Sequence, residues 1–489
     1  MEKENPYEII ATRRNSKLAS KEATYKLLAD SYKGGIDYIN ATPSHLIPYD
    51  REYKAAFERR KERSVYINFL QPIVDLLSGF VFKEEPDRKI PPDMQYIVDK
   101  ASKRKGLNQF MQALCPQAIM MTMGVLVDSP RFDPKIYETE ADRIAAKLQP
   151  YACMYYPWHI RDFACDAEMN IEWVLLDDSR TIKTDPLKGE EHKKIYRLWT
   201  KATYQDFEIK EAKQGEKPKV EAGEVYAHNL GEVPFHFVNV RDVEDDHVCD
   251  SPMEDIGILS RMIYNIMSYL DEMLASGTFK TLFYPTITKE DIPPEIKKKG
   301  VSDSPVATFN GAASHVPFFA GAGLESINPF IDSFNLYKLQ IFSKIGMDVD
   351  RDKTYVQSGS AIGQEFKKTE ALLIGISEAM EEAEEFIIRV AALWEGKKID
   401  PEVEYTDDYQ QADVAAEFAR LKTAYDMAQP DVSRLALEGL VKILFPNLSA
   451  DEAKKISDGD WKRNPVEPPL TNPFKGAPGR VETPQEVTE

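Results

Sequence analysis

Residues 364–394 contain no proline and a single glycine, Gly375, and no other stretch of the chain constrains the fold as strongly. A run of that kind is helical, and at 1.5 Å per residue it reaches roughly 45 Å, about the width of a domain. Leu372, Leu373, Ile376, Met380, Ala383, Ile387, Val390 and Trp394 fall on one stripe of it, with Glu370, Glu378, Glu381, Glu384 and Glu385 opposite. Two readings follow: a core or coiled-coil rod, or part of a moving or pore-forming device. The preceding residues 329–347 form a second amphipathic helix in the same pattern. Ile331, Phe334, Ile341, Phe342 and Ile345 share one face, while Leu336 and Leu339 lie well round from it, so this helix needs cover on two sides. A charged loop, DVDRDKTYVQSGSAIG at residues 348–363, joins the two.

The other elements must fit around that helix, loop and rod. With 489 residues, 43% of them hydrophobic, the chain predicts several folding units rather than one core. No run of eighteen apolar residues occurs, and MEKENPYEII lacks the apolar centre of a signal peptide, so neither membrane spanning nor secretion is expected. Cys115, Cys153, Cys165 and Cys249 form no CxxC pair, which argues against a structural zinc site or a disulfide framework. A net charge of −19 is the opposite of what gripping nucleic acid by its phosphates requires. It serves solubility, or a surface that stays near DNA without sticking to it.

Taken in order, residues 1–35 read as a polar arm and a short helix (EATYKLLADSY). Residues 50–82 read as one helical run bent at Pro72, with Gly79 closing the unit. Two helical patterns follow, the second Met-rich, and then a short strand, GVLVDSP. From Tyr151 the pattern turns to alternating aromatic and β-branched residues: six strand candidates extend to Phe235 and its neighbours, a mostly antiparallel β unit. It closes on Asp242, Glu244, Asp245, Asp246, His247 and Asp250. That cluster is the best acid/base or metal candidate in the chain, because hard cations take several carboxylate oxygens, but it matches no ligand spacing and reads first as a solvated loop. His159 and His236 lie in apolar strands and read as core residues.

Ser251, Pro252 and Glu254 then announce a helix start: a capping residue, proline in the first turn and an acid three after the cap. Ile256, Leu259, Ile263, Ile266, Met267, Leu270, Met273 and Leu274 stripe one side of this rod. Gly257, Arg261, Asn265, Ser268 and Glu272 face away. Between it and the helix at 329 lies an insertion with strand candidates TLFYPTI, PVATF and HVPFF. Its Gly321-Ala322-Gly323 is too weak for a phosphate loop, and Lys297, Lys298 and Lys299 make a solvated tip or a docking patch. Beyond Lys397 come an acidic segment and three helical stretches. The last twenty-eight residues hold six prolines and almost no large apolar side chains, a composition expected to be disordered.

Two rods flanking a small mixed tip, then a loop, a long returning helix and a helical end, make an order that resembles the portal proteins of tailed bacteriophages. The resemblance rests on SPMEDIGILSRMIYNIMSYLDE, on FNLYKLQIFSKIGM, and on TYVQSGSAIG before a Glu-rich long helix, and it covers roughly residues 20–460. It implies an α+β, mainly α subunit with a helical and β-rich wing (1–250), a first stem helix (251–276) and a small mixed α/β clip (277–328). A second stem helix (329–347), a tunnel loop (348–363), a long wing helix (364–396), a helical crown (397–461) and a disordered tail (462–489) follow. It further implies a homo-oligomeric ring of about twelve subunits at one capsid vertex, which passes double-stranded DNA in packaging and ejection and docks a terminase motor and a head-tail adaptor. Major capsid and scaffolding proteins would be further partners. The implied location is the virion, after assembly in the host cytoplasm, without membrane, cofactor, metal or enzymatic chemistry.

On that resemblance, Asp348, Asp350, Arg351, Asp352, Lys353, Tyr355, Gln357 and Ser358 would face the DNA channel, the alternating charges giving weak, transient phosphate contacts. Glu295, Lys297, Lys298 and Lys299 would form the clip's docking surface. Ile263, Leu270, Leu336, Leu339 and Phe342 would pack the stem and its subunit boundaries. Two rivals stand beside it: a metal-dependent hydrolase or nuclease built on the Asp242–Asp250 cluster, and a different ring-forming scaffold protein.

Overall fold

Asn15 lies in extended backbone, and its side chain accepts the amides of Lys17 and Leu18, so the first substantial helix begins at Ser16, earlier than its apolar pattern suggests. The computed structural model that shows this describes residues 7–102, 104–131, 136, 146, 148–183, 189–210, 218–241, 246–278, 280–286, 306–309, 316–320, 327–345, 359–406 and 409. All of them belong to one compact unit ending at Tyr409, which includes the start of the expected crown at 397–409; residues 410–489, with the rest of the expected crown and the expected tail, form a second unit outside the described residues.

The fold is α+β and mainly helical. It opens with α1 (Glu8–Thr12), α2 (Ser16–Lys33), α3 (Gly35–Ile39), α4 (Lys54–Arg63) and α5 (Leu70–Val81). The expected single run through residues 50–82 is thus two helices separated by extended backbone, because Pro72 sits in the first turn of α5, where its missing N–H has no intrahelical partner to lose. Gly79 lies inside α5 instead of ending it. Next come β1 (Asp87–Lys89), α6 (Gln95–Asp99), α7 (Leu107–Met120) and β2 (Met123–Asp128), the last wholly buried.

The aromatic and β-branched stretch forms β3 (Tyr151–Tyr155), β4 (Ile160–Cys165), β5 (Ile171–Asp177), β6 (Arg180–Ile182), β7 (Glu191–Thr200), β8 (Thr203–Lys210), β9 (Lys219–Ala227) and β10 (Phe235–Val238). These strands do not make one unit. β4, β5, β7, β8 and β9 follow one another in an antiparallel sheet with β6 added on β7, whereas β10 and β3 flank β2 in a separate sheet. Arg197 stitches the larger sheet from within: it grips Asp206 through two bonds of 2.6 and 3.2 Å and lies 3.4 Å from both Asp128 and Asp178.

Three helices complete the core: α8 (Glu254–Thr278), α9 (Asn328–Lys344) and α10 (Gly359–Trp394). Between α8 and α9 lie β11 (Thr281–Pro285), β12 (Val306–Phe309) and β13 (Phe318–Ala320), and β14 (Glu402–Glu404) follows α10. At 36 residues, α10 is about 54 Å long. It begins five residues before the expected start at 364, so residues 359–363 of the expected loop are helical.

Two expectations about polar faces need correction. The glutamates of α10 do not all face solvent: Glu381 and Glu385 accept the amides of Tyr405 and Val403 at 2.8 and 3.1 Å, and Glu384 is fully buried. Strand β14, paired with β1, covers that face. Likewise Asn265 and Ser268 on α8 are buried, Asn265 accepting from the Ile47 amide at 2.8 Å and donating to the His45 carbonyl at 3.2 Å. A helix buried on two sides satisfies the backbone of the loop that crosses it, which an apolar stripe alone does not reveal. Gly257, also on that side, lets α2 approach closely: a Cβ there would stand 2.6 Å from Leu28.

His236 stacks on Phe386 of α10 at 5.1 Å, with Glu382 at 3.9 Å. Burial, with smaller contributions from His247 and Arg389, pushes its pKa down to about 4. Between that value and the usual 6.5 the unfolded chain binds a proton that the folded protein refuses, so stability falls as pH drops through this window. Comparing thermal melts at pH 7 and pH 4.5 should show the wild type losing about 2 kcal/mol more than His236→Phe. Parallel losses would mean that His236 does not carry the effect.

Candidate assembly surface

Helices α8 and α9 pair antiparallel. Lys344 at the end of α9 pairs with Asp255 at the start of α8, and Tyr269 meets Phe330 at 6.4 Å near the opposite end. α8 begins at Glu254, three residues after the expected cap: Ser251 accepts the Met253 amide at 3.0 Å in the turn before the helix, while Glu254 accepts from Thr24 of α2 at 3.4 Å. The acid expected to close the cap therefore docks the helix against its neighbour instead. Ile341 and Ile345 anchor the end of α9 in the core, and Phe342 packs edge-on against Phe69 at 6.3 Å.

Beyond the free ends of the two rods, β11 pairs parallel with β12 and antiparallel with β13. Phe318 stacks on Phe283 at 5.2 Å and meets Phe309 at 5.6 Å. This sheet has too little area to hide its own side chains. Val316 is 77% exposed, and Phe318 and Phe319 are about half exposed.

The five residues expected to pack the stem and its boundaries separate into two groups. Ile263 is buried in the chain's own core and offers no surface to a second subunit, while Phe342 packs partly against that core. Leu270 and Leu339 are half-buried, and Leu336 is 52% exposed. The structure adds Ile258, Met262, Leu274 and Ile331, all large, apolar and exposed on the same two rods. Ile258 and Met262 were missed because they stand off the main stripe; their i, i+4 spacing is the signal that could have found them. Isolated exposed apolar residues are ordinary, but several on one helical hairpin and its tip are a surface awaiting cover.

Asp348, Asp350, Arg351, Asp352, Lys353, Tyr355, Gln357 and Ser358 lie outside the described residues, as do Glu295, Lys297, Lys298 and Lys299. So do Asp242, Glu244 and Asp245 of the acidic cluster. Its described members are already engaged. Asp246 pairs with Lys17 at 2.7 Å and accepts the Val248 amide, Asp250 pairs with Lys21, and the His247 Nε2–H donates to the Met169 carbonyl at 2.8 Å while its ring stacks on Phe237. Bonding to Asp250 raises the Lys21 pKa. The cluster fastens α2 to the segment entering α8. Among the described residues no group of three His, Cys, Asp or Glu side chains could hold a metal ion, and no helix is long and apolar enough to cross a membrane.

No protein-family model matches the chain, and no curated protein matches it. Among solved structures it is similar to a chain of the virion of a native gene transfer agent particle, at 11% identity and a TM-score of 0.40, over 84% of this chain and 92% of that one. A likeness at that level assigns no function.

Proposed function

We propose that the chain is a portal-type structural subunit that closes into a ring, about twelve copies round, at one vertex of a phage-like particle. The observation that carries this reading is the paired α8–α9 rods with their small tip sheet, which leave Ile258, Met262, Leu274, Ile331, Leu336 and Phe318 exposed. Side-by-side rods in a ring would cover such faces, whereas a monomer has no use for them. In this reading the loop residues Asp348, Asp350, Arg351, Asp352, Lys353, Tyr355, Gln357 and Ser358 touch passing double-stranded DNA. The tip with Glu295, Lys297, Lys298 and Lys299 takes the terminase motor and later the adaptor. An acidic subunit suits a channel through which DNA must slide, since each captured phosphate would add friction. The hydrolase reading lacks such support, because Asp246, His247 and Asp250 are spent on ion pairs and backbone bonds.

Negative-stain microscopy and light scattering of the purified full-length chain test the proposal. Wild type should give closed rings. Met262→Glu with Leu336→Glu should shift most of the protein to monomer with an unchanged circular dichroism spectrum, because charges on an apolar boundary are desolvated or repelled on association. A wild-type chain that stays monomeric at every concentration would remove the basis for the reading.

A further inference from the structure

Thr369 is 1% exposed in α10, and its hydroxyl donates to the Ile345 carbonyl at the end of α9. A threonine inside a helix commonly turns its hydroxyl to the carbonyl four residues back in its own helix. Here it serves another helix. The last carbonyls of α9 have no intrahelical donor, and Ile345 is itself buried, so its oxygen needs a partner that water cannot supply. Ile341, Leu373 and Ile376 are buried in the same core, and further along α10 the Val240 carbonyl stands 3.2 Å from where a Cβ on Gly375 would be. The Lys344–Asp255 pair holds the same corner from outside. One hydrogen bond therefore ties the end of α9 at Ile345 to Thr369, ten residues into α10.

We propose that Thr369 is a positioning residue, which fixes the end of α9 against α10 and so sets the spacing of the two helices between which residues 346–358 run. This inference rests on the portal reading for its consequence, DNA passage, but not for the latch itself. Thr369→Val keeps the shape and removes the donor; Thr369→Ser restores it.

Native-state hydrogen exchange on the full-length protein reads the latch. In Thr369→Val, amides of 341–345 and 369–376 should exchange about tenfold faster, those of β7 and β8 at the wild-type rate, and Thr369→Ser should return the first group to wild type. No local change, or an equal change throughout, would show that Thr369 only fills space and would overturn the inference. The second readout is DNA filling by particles assembled with each variant. Rings that form normally but fill less DNA with Thr369→Val than with Thr369→Ser support positioning. Equal filling despite faster local exchange overturns it while leaving the portal reading intact. Failure of wild-type protein to form rings or support filling overturns the portal reading and the positioning role together, even if exchange shows the latch.

Discussion

Replacing Glu384 with alanine should destabilise the fold by about 3–5 kcal/mol, the cost of orphaning a buried charge. Glu384 is fully buried, Arg88 binds both of its oxygens, and the Tyr405 hydroxyl donates to it at 2.7 Å. Arg88 also donates to Asn108, which in turn donates to Glu85. One carboxylate thereby joins α10, β1, α7 and the segment after β14. Removing it leaves the guanidinium with Asn108 but without a counter-charge, and the phenol without this acceptor, in a place water barely reaches. Removing both charges is a different experiment. Arg88→Met with Glu384→Met leaves no unpaired ion, so the double variant should recover a large part of the loss. Thermal and urea melts on the same protein measure both. A Glu384→Ala variant within about 1 kcal/mol of wild type would mean that the site relaxes or hydrates and that the network does not hold the helix.

This site also shows where the sequence stops being legible. The α10 stripe was readable because Leu373, Ile376, Met380, Ala383, Ile387 and Val390 repeat with the period of a helix, and all six are buried. The opposite glutamates read as solvated because a short strand covering them leaves no periodic trace. β14 is three residues long, and its partner β1 lies nearly the whole described chain away. Likewise a helix start near Ser251 was visible from Ser251, Pro252 and Glu254, but the burial of Asn265 was not, since its partners at His45 and Ile47 are loop backbone. The six strand candidates were recognisable as strands, yet alternation could not show that β10 leaves its sequence neighbours to pair with β2. For the assembly surface, Leu336 was legible as a second apolar face. Thr369 was not, because a lone threonine in a helix has no signature of its partner.

Arg60→Ala should cost about 3 kcal/mol, and Arg60→Lys should recover less than half of it. Arg60 is 2% exposed and grips both oxygens of Glu52 at 2.8 and 2.7 Å. Its remaining donors reach the Ile47 carbonyl at 2.8 Å and the Ser268 hydroxyl of α8 at 3.1 Å, and its plane lies 4.1 Å over the Tyr49 ring. A lysine ammonium can neutralise Glu52 but cannot fork to it while also reaching Ser268 and stacking on Tyr49. The pH dependence separates charge from packing. Bonding to Arg60 holds the Glu52 carboxyl below the usual range, so the pair's stabilisation is complete above the unfolded carboxylate value near 4.3 and is lost as pH falls through the lower folded value. The gap between wild type and Arg60→Ala should therefore be constant from pH 8 to pH 5 and narrow below about pH 4. A gap independent of pH would assign the effect to stacking on Tyr49 instead of the ion pair. Because Arg60 ties α4 to α8, the same variant should also loosen α8. If α8 sits at a subunit boundary, rings of Arg60→Ala should dissociate at lower denaturant than the fold melts, and coincident transitions would place Arg60 in the fold alone.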